Sequence, residues 1–170
     1  IQIIRLPFSN GNPDTINLGD NNYQHAFLNA EYYKPLNKRL NLSFLLQSGF
    51  NFNYHQLLVN NFFIGGLNRL YHNQVLFAGL DDMTIYSSSV VALQLALRYK
   101  VFNNIYLIGR SNVLVNGILG LDRLVSSPKF MSGHAISFAY NSLIGPIELS
   151  GMYSDQSKYF QTYINLGLSF

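Results

Sequence analysis

Four side chains in this sequence are placed to do charge chemistry together: Glu31, Arg98, Arg110 and Glu148. Each lies on the polar side of a segment that alternates apolar and polar residues, so all four point into one interior. Opposite charges on neighbouring strands can pair and hold register. The expectation is a network of two carboxylates and two arginines; independent solvation in a wet interior is the alternative. Nothing else assembles into a reaction centre. A hydrolase nucleophile on a strained turn needs G-x-S-x-G, which is absent, and Ser111 follows Gly109-Arg110 inside an extended segment. His25, His55, His72 and His134 lack metal-ligand spacing. Asp81 and Asp82 read as solvated loop carboxylates, with too few oxygen ligands nearby for calcium. The absence of cysteine excludes disulfides and thiolate chemistry. The chain is expected to carry no catalytic residue, no metal and no cofactor.

The elements that position the four charges are extended. Residues 39–52 turn Leu40, Leu42, Phe44, Leu46, Phe50 and Phe52 one way and Asn41, Ser43, Gln47, Gly49 and Asn51 the other. That period of two is a strand with one greasy and one polar face. The same alternation runs through 24–34, 89–101, 133–142, 147–154 and 160–170. It is weaker in 105–117, where Ile108 and Leu114 fall on the polar side. Composition agrees. Apolar content is 48% and charged content 11%, far below the ~25% charge of ordinary soluble domains. No stretch approaches the ~20 apolar residues of a spanning helix. Low charge with many short alternating strands points to an all-β, antiparallel transmembrane β-barrel. A charge facing lipid would cost ~2–4 kcal/mol, which is why the four belong inside. Lys and Arg are scattered, and the net charge of +3 makes no nucleic-acid footprint.

The connections alternate. Short turns fall at 35–38, 102–104 and 143–146. Longer links fall at 8–23, 53–88 and 118–132, with a brief one near 155–159. Outer-membrane barrels have short periplasmic turns and longer outside loops, so 53–88 is expected to be the long outside loop, with 55–64 inside it, although HQLLVNNFFI could be a strand by composition. Residues 1–7 are half the ~9–11 residues of a spanning strand, and 1–10 is no signal peptide. About eight strands are expected across 1–170, enough for a small closed barrel or half of a larger one. Tyr32, Tyr33, Phe50, Phe52, Tyr99, Phe102, Tyr140 and Tyr153 fall near strand ends and suit an interfacial girdle.

Three stretches resemble one superfamily. Phe62-Phe63-Ile64-Gly65-Gly66-Leu67 resembles the Gly-Gly entry to the sixth loop of bacterial surface-antigen barrels. Gly133-His134-Ala135 through Gly145-Pro146 resembles their penultimate hairpin. Asn165-Leu166-Gly167-Leu168-Ser169-Phe170 resembles their closing strand. That superfamily includes the core subunit of the outer-membrane assembly machinery, two-partner secretion transporters and the barrels of patatin-like phospholipases. Its sixteen-stranded barrels would make this chain the last eight strands. The wording GPIELSGMYSDQS…YINLGLSF is most similar to the patatin-like phospholipase barrels. The resemblance implies a loop motif at Phe63, Gly65, Gly66, Arg69 and Gly79, and a closing-strand signal at Leu166, Gly167, Leu168 and Phe170. One departure stands out. The sixth loop usually carries Val-Arg-Gly-Phe or Val-Arg-Gly-Tyr, its arginine docked inside the barrel. Here the match is Phe77-Ala78-Gly79-Leu80, with Ala78 in the arginine's place and Arg69 out of register. That weighs against an activity needing the arginine.

The leading expectation is therefore a bacterial outer-membrane barrel region that anchors or exports a partner domain, or acts in outer-membrane protein assembly or transport, without bond-making chemistry of its own. An upstream phospholipase domain fits this reading. The expected partners are outer-membrane lipid, the assembly machinery that inserts barrels, and a second copy or other membrane subunits. One alternative is a complete eight-stranded outer-membrane protein with a structural or adhesive role. Another is a soluble β-barrel binding a hydrophobic ligand.

Overall fold

The computed structural model describes residues 24–52, 61–119, 128–143 and 145–167, and the backbone of residues 3–4 and 16–17. In chain order the strands are β1 (Ile3–Ile4), β2 (Ile16–Asn17), β3 (Gln24–Pro35), β4 (Leu40–Phe52), β5 (Phe62–Ile64), β6 (Gln74–Val75), β7 (Ile85–Ser87), β8 (Ser89–Lys100), β9 (Ile105–Asn116), β10 (Lys129–Ser142), β11 (Gly145–Ser154) and β12 (Phe160–Leu166). Seven form one wall in the order β12-β11-β10-β9-β8-β4-β3. Every neighbouring pair in it is antiparallel. Ile3–Ile4, inside the expected half-strand, pairs with Ile16–Asn17 rather than with the wall. The rest of 1–23, and residues 53–60, 120–127, 144 and 168–170, lie outside the described residues.

Turn chemistry fixes the register. Asn37 Oδ1 accepts from the backbone N–H of Arg39 and of Leu40, each at 2.8 Å, an Asx-type closure that lets β3 fold back onto β4. At the β10–β11 turn Gly145 sits at φ +133, a backbone state that favours glycine. One boundary differs from expectation. The link expected to run through 132 ends earlier, because β10 starts at Lys129 and pairs that residue with Asn116. Pro128, which has no N–H to give a ladder, marks the break instead.

The two faces carry opposite residue types. Leu28, Phe44, Leu46, Leu93, Leu95, Leu97, Ile136, Phe138, Leu149, Ile164 and Leu166 stand exposed on one side. Gln47, Asn51, Gln94, Asn112, Ser137, Glu148, Ser150 and Gln161 are buried on the other. A soluble barrel would reverse this, so the hydrophobic-ligand reading fails here. Cross-strand neighbours such as Tyr32–Phe44 and Leu46–Leu93 continue the greasy face from strand to strand.

The long link after β4 does not simply stand outside. Its described part folds back against the polar face. Phe62–Ile64 lies in the link rather than the wall, and builds a three-stranded sheet, parallel to β6 and antiparallel to β7. Phe62, Ile64, Val75, Phe77 and Leu80 from this segment pack on Val90, Ala92, Leu114 and Met131 of the wall. Leu67 and Ala78 pack on Ala135 and Met152. This explains the weak alternation of β9: Leu114, apolar on a polar face, is a seat for the loop.

Candidate functional site

The loop is held by the wall from one edge to the other. At β3, Arg69 Nη2 donates to Asn29 Oδ1 at 2.7 Å, and its guanidinium lies 5.9 Å from the Phe27 ring centroid. At β4 and β9, two wall amides clamp the backbone of one residue. Gln47 Oε1 accepts from Leu76 N–H at 2.8 Å, and Asn112 Nδ2 donates to the Leu76 carbonyl at 3.3 Å. At β10 and β11 the contact is backbone on backbone. A side chain at Gly133 would strike the Ala78 carbonyl, and one at Gly79 would strike the Tyr153 carbonyl. Ser154 Oγ donates to the Gly79 carbonyl at 2.8 Å. At β12, Tyr163 OH donates to Asp82 Oδ2 at 3.3 Å, and Gln161 Nε2 to Asp81 Oδ2 at 3.4 Å.

Within the loop one buried amide does most of the internal fastening. Gln74 Oε1 accepts from Leu70 N–H at 2.6 Å, while its Nε2 donates to the Gly65 carbonyl at 2.8 Å and to Asp82 Oδ1 at 3.0 Å. Gly65 at φ +133 and Gly66 at φ +80 let the chain run flush against Asp81 and Asp82. Gly79 is at φ +86. Phe63 faces away from the wall, its ring edge-on to Tyr71 and Tyr86. The resemblance-derived loop residues thus divide: Gly65, Gly66 and Gly79 permit close approach, Arg69 reaches the first wall strand, and Phe63 stays within the loop.

The four interior charges do not form one network. Arg110 and Glu148 make a two-pronged ion pair, Nη1 to Oε1 at 2.5 Å and Nη2 to Oε2 at 3.2 Å. Ser137 accepts from Arg110 Nη1 at 2.7 Å, and Ser150 donates to Glu148 Oε1 at 3.1 Å, so two hydroxyls brace the pair. Arg98 leans toward β9 and stacks 4.0 Å over the Tyr106 ring, away from β3. Glu31 on β3 accepts from Tyr33 OH. Among the described residues Glu31 and Arg98 form no ion pair, although both line a chamber of about 490 Å³ with Tyr33, Gln94 and Arg110, roofed by Leu67 and Leu76 of the loop. Tyr33 therefore belongs to this chamber and not to the outward girdle, whereas Tyr32, Tyr99, Phe102, Tyr140 and Tyr153 are exposed on the other side or at the rim.

Sequence reasoning missed Gln47, Gln74 and Asn112, because a lone amide on a polar face or in a loop looks like any solvated one. It also misread Asp82, whose carboxylate is a loop-to-wall fastening. Of the closing-strand residues, Leu166 points outward opposite Ile147. Gly167 N–H donates to the Pro146 carbonyl at 2.8 Å. Leu168 and Phe170 lie outside the described residues. His25 Nδ1 meets Asn51 Oδ1 at 2.7 Å and its ring stacks on Phe62. Among the described residues no three His, Asp or Glu side chains gather as a metal site.

An exposed apolar outer face, a hydrogen-bonded polar inner face and a long inter-strand loop seated on the latter suit a wall set in lipid. The family profile of the OMP85 superfamily matches residues 15–170. No curated protein and no solved structure matches the chain. With nearly its whole length matched, the chain belongs to the OMP85 superfamily, whose barrels sit in the bacterial outer membrane and serve assembly and transport there.

Proposed function

We propose that this region is the barrel of a patatin-like-phospholipase type of outer-membrane protein, anchoring or exporting a partner domain that lies elsewhere in the same protein. The observation that carries the reading is the loop's seat. By the family resemblance Ala78 stands where the docking arginine is usual, and it is wholly buried, clustered with Leu67, Ala135 and Met152. The loop is held by apolar packing, glycine contacts and amide clamps, so a reading that needs the arginine as a working part is disfavoured. The wording of residues 145–167 supports the same branch. Insertion by the outer-membrane assembly machinery and lateral contact with a second copy or another membrane subunit belong to this proposal.

The test uses the full-length protein. Its reading frame is expected to encode a G-x-S-x-G domain ahead of this region, and lipase activity is expected in the outer-membrane fraction. Deleting residues 89–170 should release that activity from the membrane. A frame holding only a signal peptide before this region would favour the small eight-stranded alternative and overturn the proposal.

A further inference from the structure

The turns at the short-turn end of the wall are basic. Residues 34–40, 99–106 and 140–147 together contain Lys34, Lys38, Arg39 and Lys100, and neither Asp nor Glu. Three of these cations converge. Lys38, Arg39 and Lys100 line a recess of about 550 Å³ together with Val101, Phe102, Asn103, Asn104, Ile105 and Tyr140. Two different hairpins supply the charges, and backbone bonds hold the hairpins in place. Lys100 N–H donates to the Arg39 carbonyl at 2.7 Å, and Asn141 N–H to the Asn104 carbonyl at 2.9 Å. Asn37 fixes the turn that carries Lys38 and Arg39. Among the described residues none of the three cations has an ion-pair partner.

The other border of the recess is apolar. Phe102 is 70% exposed, and Ile105 and Tyr140, cross-strand partners, are exposed on the greasy face. The recess therefore straddles the edge of the bilayer-facing band. A free phosphate would use only the cations and leave the aromatic border idle. A phospholipid matches both halves, with its phosphate on the cations and its glycerol and upper chains along Phe102, Ile105 and Tyr140. Arg39 adds planar, two-pronged recognition of phosphate oxygens that lysine alone does not give.

We propose that Lys38, Arg39 and Lys100, bordered by Phe102 and Tyr140, form a binding site for the phosphate headgroup of an anionic phospholipid in the leaflet that the short turns face. The site is separate from the loop and its seat, and does not depend on which domain the barrel carries.

The experiment is native mass spectrometry of the full-length protein released from phosphatidylcholine nanodiscs containing phosphatidylglycerol. Retained phosphatidylglycerol is expected to exceed retained phosphatidylcholine. Lys38→Gln, Arg39→Gln and Lys100→Gln should each lower that preference about fivefold, the effect of one interfacial cation, and the triple variant should abolish it. Lys129→Gln with Lys158→Gln removes charge from the opposite end and should leave it unchanged. Equal loss in that control, or full retention in the triple variant, overturns the proposal. So does loss of the preference on adding inorganic phosphate, which would make the ligand a soluble anion. Should the triple variant not fold, Lys38→Gln alone, on an exposed turn, is read the same way.

Discussion

Gly79 of the loop lies against the peptide of Tyr153 in β11 so closely that any side chain at 79 would overlap the Tyr153 carbonyl. It also holds a left-handed φ of +86. Gly79→Ala is therefore expected to lower stability by ~1–3 kcal/mol, the cost of a strained backbone position. Gly109→Ala meets nothing within 4 Å and should stay within ~0.5 kcal/mol of the parent. Heat titration of the folded band on semi-native gels checks both. Equal effects would mean that the loop is not seated as described.

Arg110 and Glu148 are expected to behave as one unit. Arg110→Leu or Glu148→Gln alone leaves an uncompensated charge or acceptor set beside Ser137 and Ser150, and should cost ~3–5 kcal/mol. Replacing both by apolar residues should recover much of that. Arg98→Leu forfeits mainly the stacking on Tyr106, worth ~0.5–2 kcal/mol. A double-mutant cycle in detergent measures the difference. Additivity between 110 and 148 would contradict the pair.

Tyr163 and Asp82 tie the loop to the last described strand. Tyr163→Phe and Asp82→Asn are each expected to cost ~1 kcal/mol, with the double variant losing less than the sum. Limited proteolysis should show faster cleavage within residues 61–88 in each. Unchanged cleavage would place the fastening elsewhere.

An arginine placed at position 78 should harm the protein. Ala78 is wholly buried and its carbonyl abuts Gly133, so Ala78→Arg adds volume and charge to a filled apolar seat. Overpacking alone costs ~1–3 kcal/mol. A drop in the unfolding temperature is expected, together with exposure of the loop to protease. A stabilised variant would show that the seat had room for the guanidinium.

The wall was legible from the sequence because alternation is a local signal. Leu40 to Phe52 sorts itself into two faces without help from any distant residue. The same holds for the Pro35–Asn37 and Gly145–Pro146 turns, whose residues determine backbone shape directly. The inward fold of the loop was not legible. Its evidence is spread over Ala92, Leu114, Met131 and Met152: Leu114 reads alone as a lapse in polarity, and Met131 falls in what the sequence suggests is a link. Only when β8 to β11 stand side by side do these residues form a continuous seat. The split of the four charges was hidden for a related reason. Face and sign can be read from spacing, but Arg98's turn toward Tyr106 depends on a neighbour supplied by another strand.

The join between β4 and β8 has a kinetic consequence. Phe50 pairs with Ser89 across the entire loop insertion, whereas β3 with β4 and β8 with β9 are closed by tight turns. Bringing distant chain ends together costs more entropy than closing a hairpin. The loop's own small sheet, with β7 leading directly into β8, shortens that journey by gathering the intervening residues first. The β4–β8 seam still carries a larger closure cost than the hairpins on either side of it.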